Sequence, residues 1–180
     1  MAEIKSTLEL VMERTRNLTQ TEEEKREQAV GEFKKSLSGL LQKFLDGALT
    51  PDRFREDLHR LQENAQVTDG GIILGEICKR LDFEGDNTWA LNLLREAFDI
   101  NPQGIAAVFA EYQKAVHDLV REKSDQIRKD LFEKQGICGP AVVPNVAADP
   151  NWVAATQVLH DQFASILAQE INKLKGAWPS

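Results

Sequence analysis

Three residue pairs, Thr50-Pro51, Asn101-Pro102 and Asp149-Pro150, carry the punctuation that opens a helix. In each, a side chain able to accept from free backbone N–H groups stands directly before a proline. Proline has no N–H to lose and its φ is already near the helical value, so it suits the first helical position. Apolar residues at three- and four-residue spacing follow every pair. A chain with this grammar folds into helices, and three of their starting points are fixed. The pairs lie 51 and 48 residues apart. The segments behind them align at little beyond the cap and one apolar residue, so shared helix grammar explains the spacing better than an internal repeat.

The remaining helices follow from periodicity. Ile4, Leu8, Val11, Thr15 and Leu18 share one face of an amino-terminal helix over about 3–16. Thr21 with Glu24 three residues on is a capping-box signature. The helix it opens has no apolar side chain before Ala29, then carries the stripe Val30, Phe33, Leu37, Leu40, Leu41, Phe44 and Leu45 and stops at Asp46-Gly47. Behind Thr50-Pro51, the spacing turns Phe54, Leu58 and Leu61 inward, and Leu49 and Phe54 form a hydrophobic staple. Asp69-Gly70-Gly71 reads as a loop before a short helix, Ile72 to Leu81, that is apolar nearly all round and belongs deep in a core. Asp86 caps the next, with Trp89, Ala90, Leu93, Leu94, Ala97 and Phe98 facing in.

From Asn101-Pro102 to Gly136 the pattern predicts one helix about 50 Å long, longer than the roughly 40 Å diameter of a compact chain of this length. Its apolar stripe is dense from Ile105 to Val120 and sparse beyond Arg121. Residues 136–148 contain no charge, two glycines and two prolines, which exclude a long helix. They read first as a buried crossover tucked over the bundle, and second as an interface patch or lid. The last helix opens at Asp149-Pro150, and Trp152, Val153, Val158, Leu159, Phe163, Ile166, Leu167, Ile171 and Leu174 supply its inward stripe.

The expected architecture is therefore all-α: about seven helices in one domain over 1–180, a compact bundle with long helices forming a projecting arm or helical hairpin. Residues 1–28 and about 121–135 are the candidate projecting or partner-contacting segments, and 136–149 is an apolar crossover.

Composition narrows the function classes. A formal charge of −7 disfavours phosphate neutralisation, so nucleic acid is not an expected partner. No run of eighteen apolar residues exists, so no membrane span is expected. Met1-Ala2-Glu3-Ile4-Lys5 shows no secretory signal, which leaves cytoplasmic residence and makes the sequon Asn17-Leu18-Thr19 meaningless. Cys78 and Cys138 show no CxxC spacing and read as small apolar residues.

Candidate chemistry is thin. Glu56 and His59 have the E-x-x-H spacing that puts two metal ligands on one helix face, but a di-metal bundle needs the motif twice. No carboxylate stands three before His117 or His160. Asp82, Glu84 and Asp86 imitate an EF-hand opening, with Asn87 where glycine and Leu93 where glutamate belong. Gly70 and Gly75 have P-loop spacing but are followed by Glu76 and Ile77. Trp89, Trp152 and Trp178 offer a pocket lining, but the first two read instead as core anchors. No catalytic, cofactor-binding or metal residue is assigned.

The opening Met1-Ala2-Glu3-Ile4-Lys5-Ser6-Thr7-Leu8-Glu9-Leu10 and the run Ala141-Val142-Val143-Pro144-Asn145 resemble uncharacterised helical proteins encoded in bacterial genomes. The resemblance covers about a fifth of the chain and implies no activity, cofactor or catalytic residue. The functional expectation is an adaptor-like structural protein that self-associates, as a dimer first, through long amphipathic helices. The alternative is a bundle holding a small apolar or metal ligand, in an enzyme or otherwise.

Overall fold

A computed structural model of the chain describes residues 21–176. Six α-helices follow one another: α1 (Glu22–Leu45), α2 (Pro51–Ala65), α3 (Gly70–Cys78), α4 (Thr88–Phe98), α5 (Gln103–Gln135) and α6 (Trp152–Gly176), with a 3-10 turn at Val146–Ala148 before the last. The fold is all-α among the described residues. The expected amino-terminal helix over 3–16 and Trp178 lie outside them. No helix of the described residues is long and apolar enough to cross a membrane.

The helix starts use two related devices. At Thr21 and Thr50 the hydroxyl accepts from the N–H three residues on, at 3.2 and 3.3 Å. Glu24 Oε2 accepts from the Thr21 N–H at 2.8 Å, which completes the capping box. Where the residue is Asp or Asn, the bond falls two residues on: Asp69 to Gly71, Asp86 to Thr88, Asn101 to Gln103 and Asp149 to Asn151. The carboxylate and amide oxygens, one bond farther from the backbone than a threonine hydroxyl, close an Asx turn at the start of the helix. This corrects two expectations. Pro51 occupies the first helical position, but Pro102 and Pro150 sit in the preceding turn, and α5 and α6 begin one and two residues later. Gly70 and Gly71, expected in a loop, form the first turn of α3 under Asp69. A Cβ at Gly71 would stand 3.0 Å from the Asp69 carboxylate, so glycine fits there.

One core joins five of the helices and is closed by the sixth. Phe33, Leu37 and Leu41 of α1 meet Phe54 and Leu58 of α2, Ile73, Leu74 and Ile77 of α3, and Leu93 and Leu94 of α4. The predicted inward residues of α1 to α4 are in this core or packed against it, except Leu45, which is 43% exposed where the last turn of α1 runs out into the Asp46-Gly47 turn. Phe54, fully buried, has edge-on ring contacts with Phe44 at 5.6 Å and Phe98 at 6.2 Å, which links α1, α2 and α4. Two arginines reinforce those crossings. Arg55 donates to the Glu96 and Ala97 carbonyls at the end of α4, both at 2.7 Å. Arg80 donates to the Ser38 carbonyl and hydroxyl and to Gln42 on α1.

α5 is one continuous helix of 33 residues, and α6 folds back along it as a hairpin. Gly104 lies beneath the Glu170 carboxylate, Tyr112 meets Phe163 at 5.5 Å, and Lys123 reaches Asp149 at 3.6 Å, so the two run antiparallel. Glu170 also sets negative charge beside the first turn of α5, where the helix dipole favours it. Burial is uneven along the pair. Ile105, Val108, Phe109 and Tyr112 are buried, whereas no α5 residue beyond Tyr112 is. On α6 only Leu167 is buried.

Candidate interaction surface

The carboxyl-terminal third departs from the sequence reading in the same direction twice. The crossover is not buried. Val146 alone is tucked in, while Ile137 is 44% and Val143 86% exposed. The segment returns from the tip of α5, and the 3-10 turn seats it on α5 and α6. The stripe of α6 is also narrower than predicted. Leu159, Phe163, Leu167, Ile171 and Leu174 face the core, but Val153, Val158 and Ile166 are 71%, 58% and 41% exposed. A helix covered on one side by α5 and α3 cannot bury so wide an apolar arc.

The surface chemistry here is unlike that of the rest of the chain. Charged residues make up 28% of the protein, yet from Gly136 to Gln169 only Asp149 and Asp161 carry formal charge. Both are engaged. Asp149 pairs with Lys123, and Asp161 accepts from Gln157 at 2.9 Å and lies 3.5 Å from His160 Nδ1. Five of the seven large hydrophobic residues exposed among the described residues lie in this stretch. Depletion of charge on an apolar, exposed face is the compositional mark of a contact surface.

A groove of about 390 Å³ runs beside that face between the two long helices. Its floor is Ala115 and Leu119 of α5 with Ala155 and Leu159 of α6, and Val158 stands on its edge. The small side chains at 115 and 155 open the dip. Asp118 and Glu122 form the α5 rim, and Gln162 the opposite one.

The other sequence candidates are dispersed. Glu56 pairs with Arg53 at 2.9 Å and His59 faces Glu63 at 3.5 Å, all solvent-exposed on α2. Their one-helix spacing is real, but no second helix brings a ligand to them, and no group of three His, Cys, Asp or Glu able to share a metal forms among the described residues. Gly70 and Gly75 are helical, so the P-loop spacing has no loop. Trp89 is half-buried against the core, and Trp152 is half-buried at the start of α6. Cys78 is largely buried, which pushes its thiol pKa up to about 11, while Cys138 is exposed.

The acidic loop before α4 has a structural job that the EF-hand comparison obscured. Asn87, the one buried polar residue among those described, accepts from the Asp82 N–H at 2.9 Å and donates to the Asp82 carbonyl at 2.6 Å. The loop seats Phe83 against Phe109 and Tyr112. Burial raises the Tyr112 phenol pKa, and Glu84 and Asp82 raise it further. Arg55 and Arg80 carried no sequence signal, because their partners lie about forty residues away and only the fold brings them near, and Asn87 gave none because its partners are backbone groups of its own loop. Comparison with family models, curated proteins and solved structures finds no match to this chain.

Proposed function

We propose that this chain is an adaptor-like structural protein that works by helix–helix contact, and that it self-associates through the α5–α6 hairpin. One observation carries the reading. The run from Gly136 to Gln169 is nearly charge-free in a highly charged protein, and Val143, Val153 and Val158 within it stand in solvent. Exposing such a surface gains nothing for folding, because the same residues are exposed in the unfolded chain. Covering it against another helix removes apolar area from water at about 25 cal/mol per Å². The exposed free thiol of Cys138 fits a reducing compartment, and the cytoplasm is the proposed location.

Sedimentation velocity over a range from about 1 to 100 μM tests the reading, a span that brackets weak helical contacts. A concentration-dependent shift from one chain to two supports it. A single species of one-chain mass throughout refutes it.

A further inference from the structure

We propose that the groove beside the start of α1 is a docking site for this chain's own residues 3–16, which close over it as a strap. The inference concerns a different surface from the α5–α6 hairpin and stands independently of the self-association proposed above.

The groove holds about 840 Å³ where α1 meets the turn between α2 and α3. Glu22, Lys25, Arg26, Ala29 and Val30 form its α1 wall. They fall at three- and four-residue steps and so share one face of that helix. Further along the same face, Phe33 and Leu37 are buried. The opposite wall carries Ala65, Val67 and Ile72. Val67 belongs to the core, and Val30, Ala65 and Ile72 pack against it half-buried. The core therefore opens into the groove at this end.

Three observations select the occupant. The first is pattern. Ile4, Leu8 and Val11 repeat at helical spacing and need an apolar counterpart. Glu22 to Gln28, the opening turns of α1, hold no apolar side chain, whereas Val30, Ala65 and Ile72 in the groove supply one.

The second is reach. Thr21 caps α1, and Glu22 and Lys25 line the groove, so the apolar segment is joined to the chain at the groove's edge. Asn17 to Gln20 span up to about 14 Å when extended, enough to reverse direction. Fourteen helical residues are about 21 Å long, against about 12 Å from Glu22 to Val30. Attachment sets an effective concentration of about 1 mM, which a separate molecule at micromolar levels does not match. This favours the chain's own segment over a second copy.

The third is charge. Residues 3–16 hold Glu3, Glu9 and Glu13 against Lys5, Arg14 and Arg16, and the groove holds Glu22 and Asp69 against Lys25 and Arg26. Both surfaces are neutral in a chain of −7, so no net repulsion opposes the contact.

The test reads access to the groove in the full chain. Thr68 is exposed and lines it, so Thr68→Cys places a thiol there with little change of volume. The exposed thiol of Cys138 is the internal reference. Reaction of each thiol with a disulfide reagent is followed by peptide mass, with and without the pair Leu8→Glu and Val11→Glu. A contact with a dissociation constant of about 0.1 mM, at that effective concentration, is closed about nine-tenths of the time. The expected result is a thiol at position 68 that reacts about tenfold faster once the stripe carries the two glutamates, with Cys138 unchanged. The factor stays the same from about 1 to 100 μM protein, because the contact is within one chain. One rate at position 68 with either stripe overturns the proposal, since the segment then does not cover the groove. Protection that grows with protein concentration overturns it in favour of a second copy. Acceleration of both thiols overturns it as well, because the segment then supports the fold at large rather than this groove.

Discussion

Changing Asn87 to aspartate replaces one NH₂ group by one oxygen, and it destabilises the protein more than deleting the side chain. Asn87 is 8% exposed. Its oxygen accepts from the Asp82 N–H at 2.9 Å, and its amide donates to the carbonyls of Asp82 at 2.6 Å and Gly85 at 3.4 Å. Asn87→Ala removes these bonds and leaves the Asp82 N–H and C=O without their partner, which costs about 2–3 kcal/mol. Asn87→Asp keeps the acceptor but turns the donor into a charged oxygen facing two carbonyls. Asp82, Glu84 and Asp86 surround it with like charge, and no cation is bonded to it. An uncompensated buried charge costs about 3–5 kcal/mol, a large part of the roughly 5–15 kcal/mol that holds a domain folded. Burial and neighbouring charge both raise the introduced group's folded pKa above its unfolded value near about 3.9. Such a group penalises the native state above its folded pKa, and the penalty vanishes below its unfolded one. Urea unfolding followed by far-UV circular dichroism, with each variant compared to wild type at the same pH, measures this. At about pH 7 Asn87→Asp unfolds more easily than Asn87→Ala, and toward about pH 4 the order narrows or inverts as the carboxyl protonates and regains a donor. The reasoning is refuted if Asn87→Asp costs no more than Asn87→Ala near neutrality, or if acidification leaves the gap unchanged.

Phe54→Ala empties the meeting point of α1, α2 and α4 and removes two edge-on ring pairs. Urea unfolding is expected to show a loss of about 3–5 kcal/mol, and a loss under about 1 kcal/mol would mean that the core repacks around the gap. A disulfide reagent at neutral pH is expected to modify exposed Cys138 at once and Cys78 only on unfolding, because burial holds the Cys78 pKa up to about 11 and suppresses its thiolate; two thiols reacting at one rate would contradict this burial. Gln66 ends α2 at φ 54°, a left-handed conformation that glycine adopts without cost. Gln66→Gly is expected to raise the urea midpoint by about 0.5–1 kcal/mol equivalent, and a lowered midpoint would show that the side chain outweighs the strain. Sodium chloride is expected to strengthen self-association, since it screens repulsion between two acidic chains and leaves the apolar contact intact; dissociation by salt would point to ion pairing instead.

Sequence alone was strong where local chemistry decides and weak where packing does. The capping box at Thr21, the Thr50-Pro51 start and the Gly136 stop depend on residues within one turn of each other, and all three were readable. So were the core faces of α1 to α4, apart from Leu45 at the end of α1, because helices packed on several sides bury most of their apolar residues. The α6 stripe failed for the complementary reason. Val153, Val158 and Ile166 are apolar at helical spacing, and nothing in that spacing tells whether a neighbour exists on their side. The crossover failed likewise: uncharged composition is compatible with burial and with a contact surface, and only the path of the chain separates them. Arg55 and Arg80 were invisible, since each anchors to carbonyls about forty residues away. The Glu56/His59 spacing was legible and uninformative, because a shared helix face is half of a metal site and the other half has to come from another element.

The hairpin itself supplies the comparison that gives the exposed α6 face its meaning. Distal α5 and the outer side of α6 are both mostly in water, and they solve that situation differently. From Arg121 to Lys134, α5 alternates charges and links them along its surface, as in Arg128–Asp125, Lys129–Glu133 and Lys134–Asp130. Each such pair is worth a few tenths of a kcal/mol, enough to support a solvated helix whose apolar stripe has thinned. From Trp152 to Gln169, α6 has only Asp161, beside His160 at 3.5 Å, and no lysine or arginine to pair with it. It presents valine, isoleucine, alanine and glutamine where its neighbour presents lysine and glutamate. Local helix stability does not require this, since α5 shows a charged solution at similar exposure, and solubility argues against it. The difference in chemistry between two adjacent helices is what the proposed helix–helix contact on α6 accounts for and local helix stability does not.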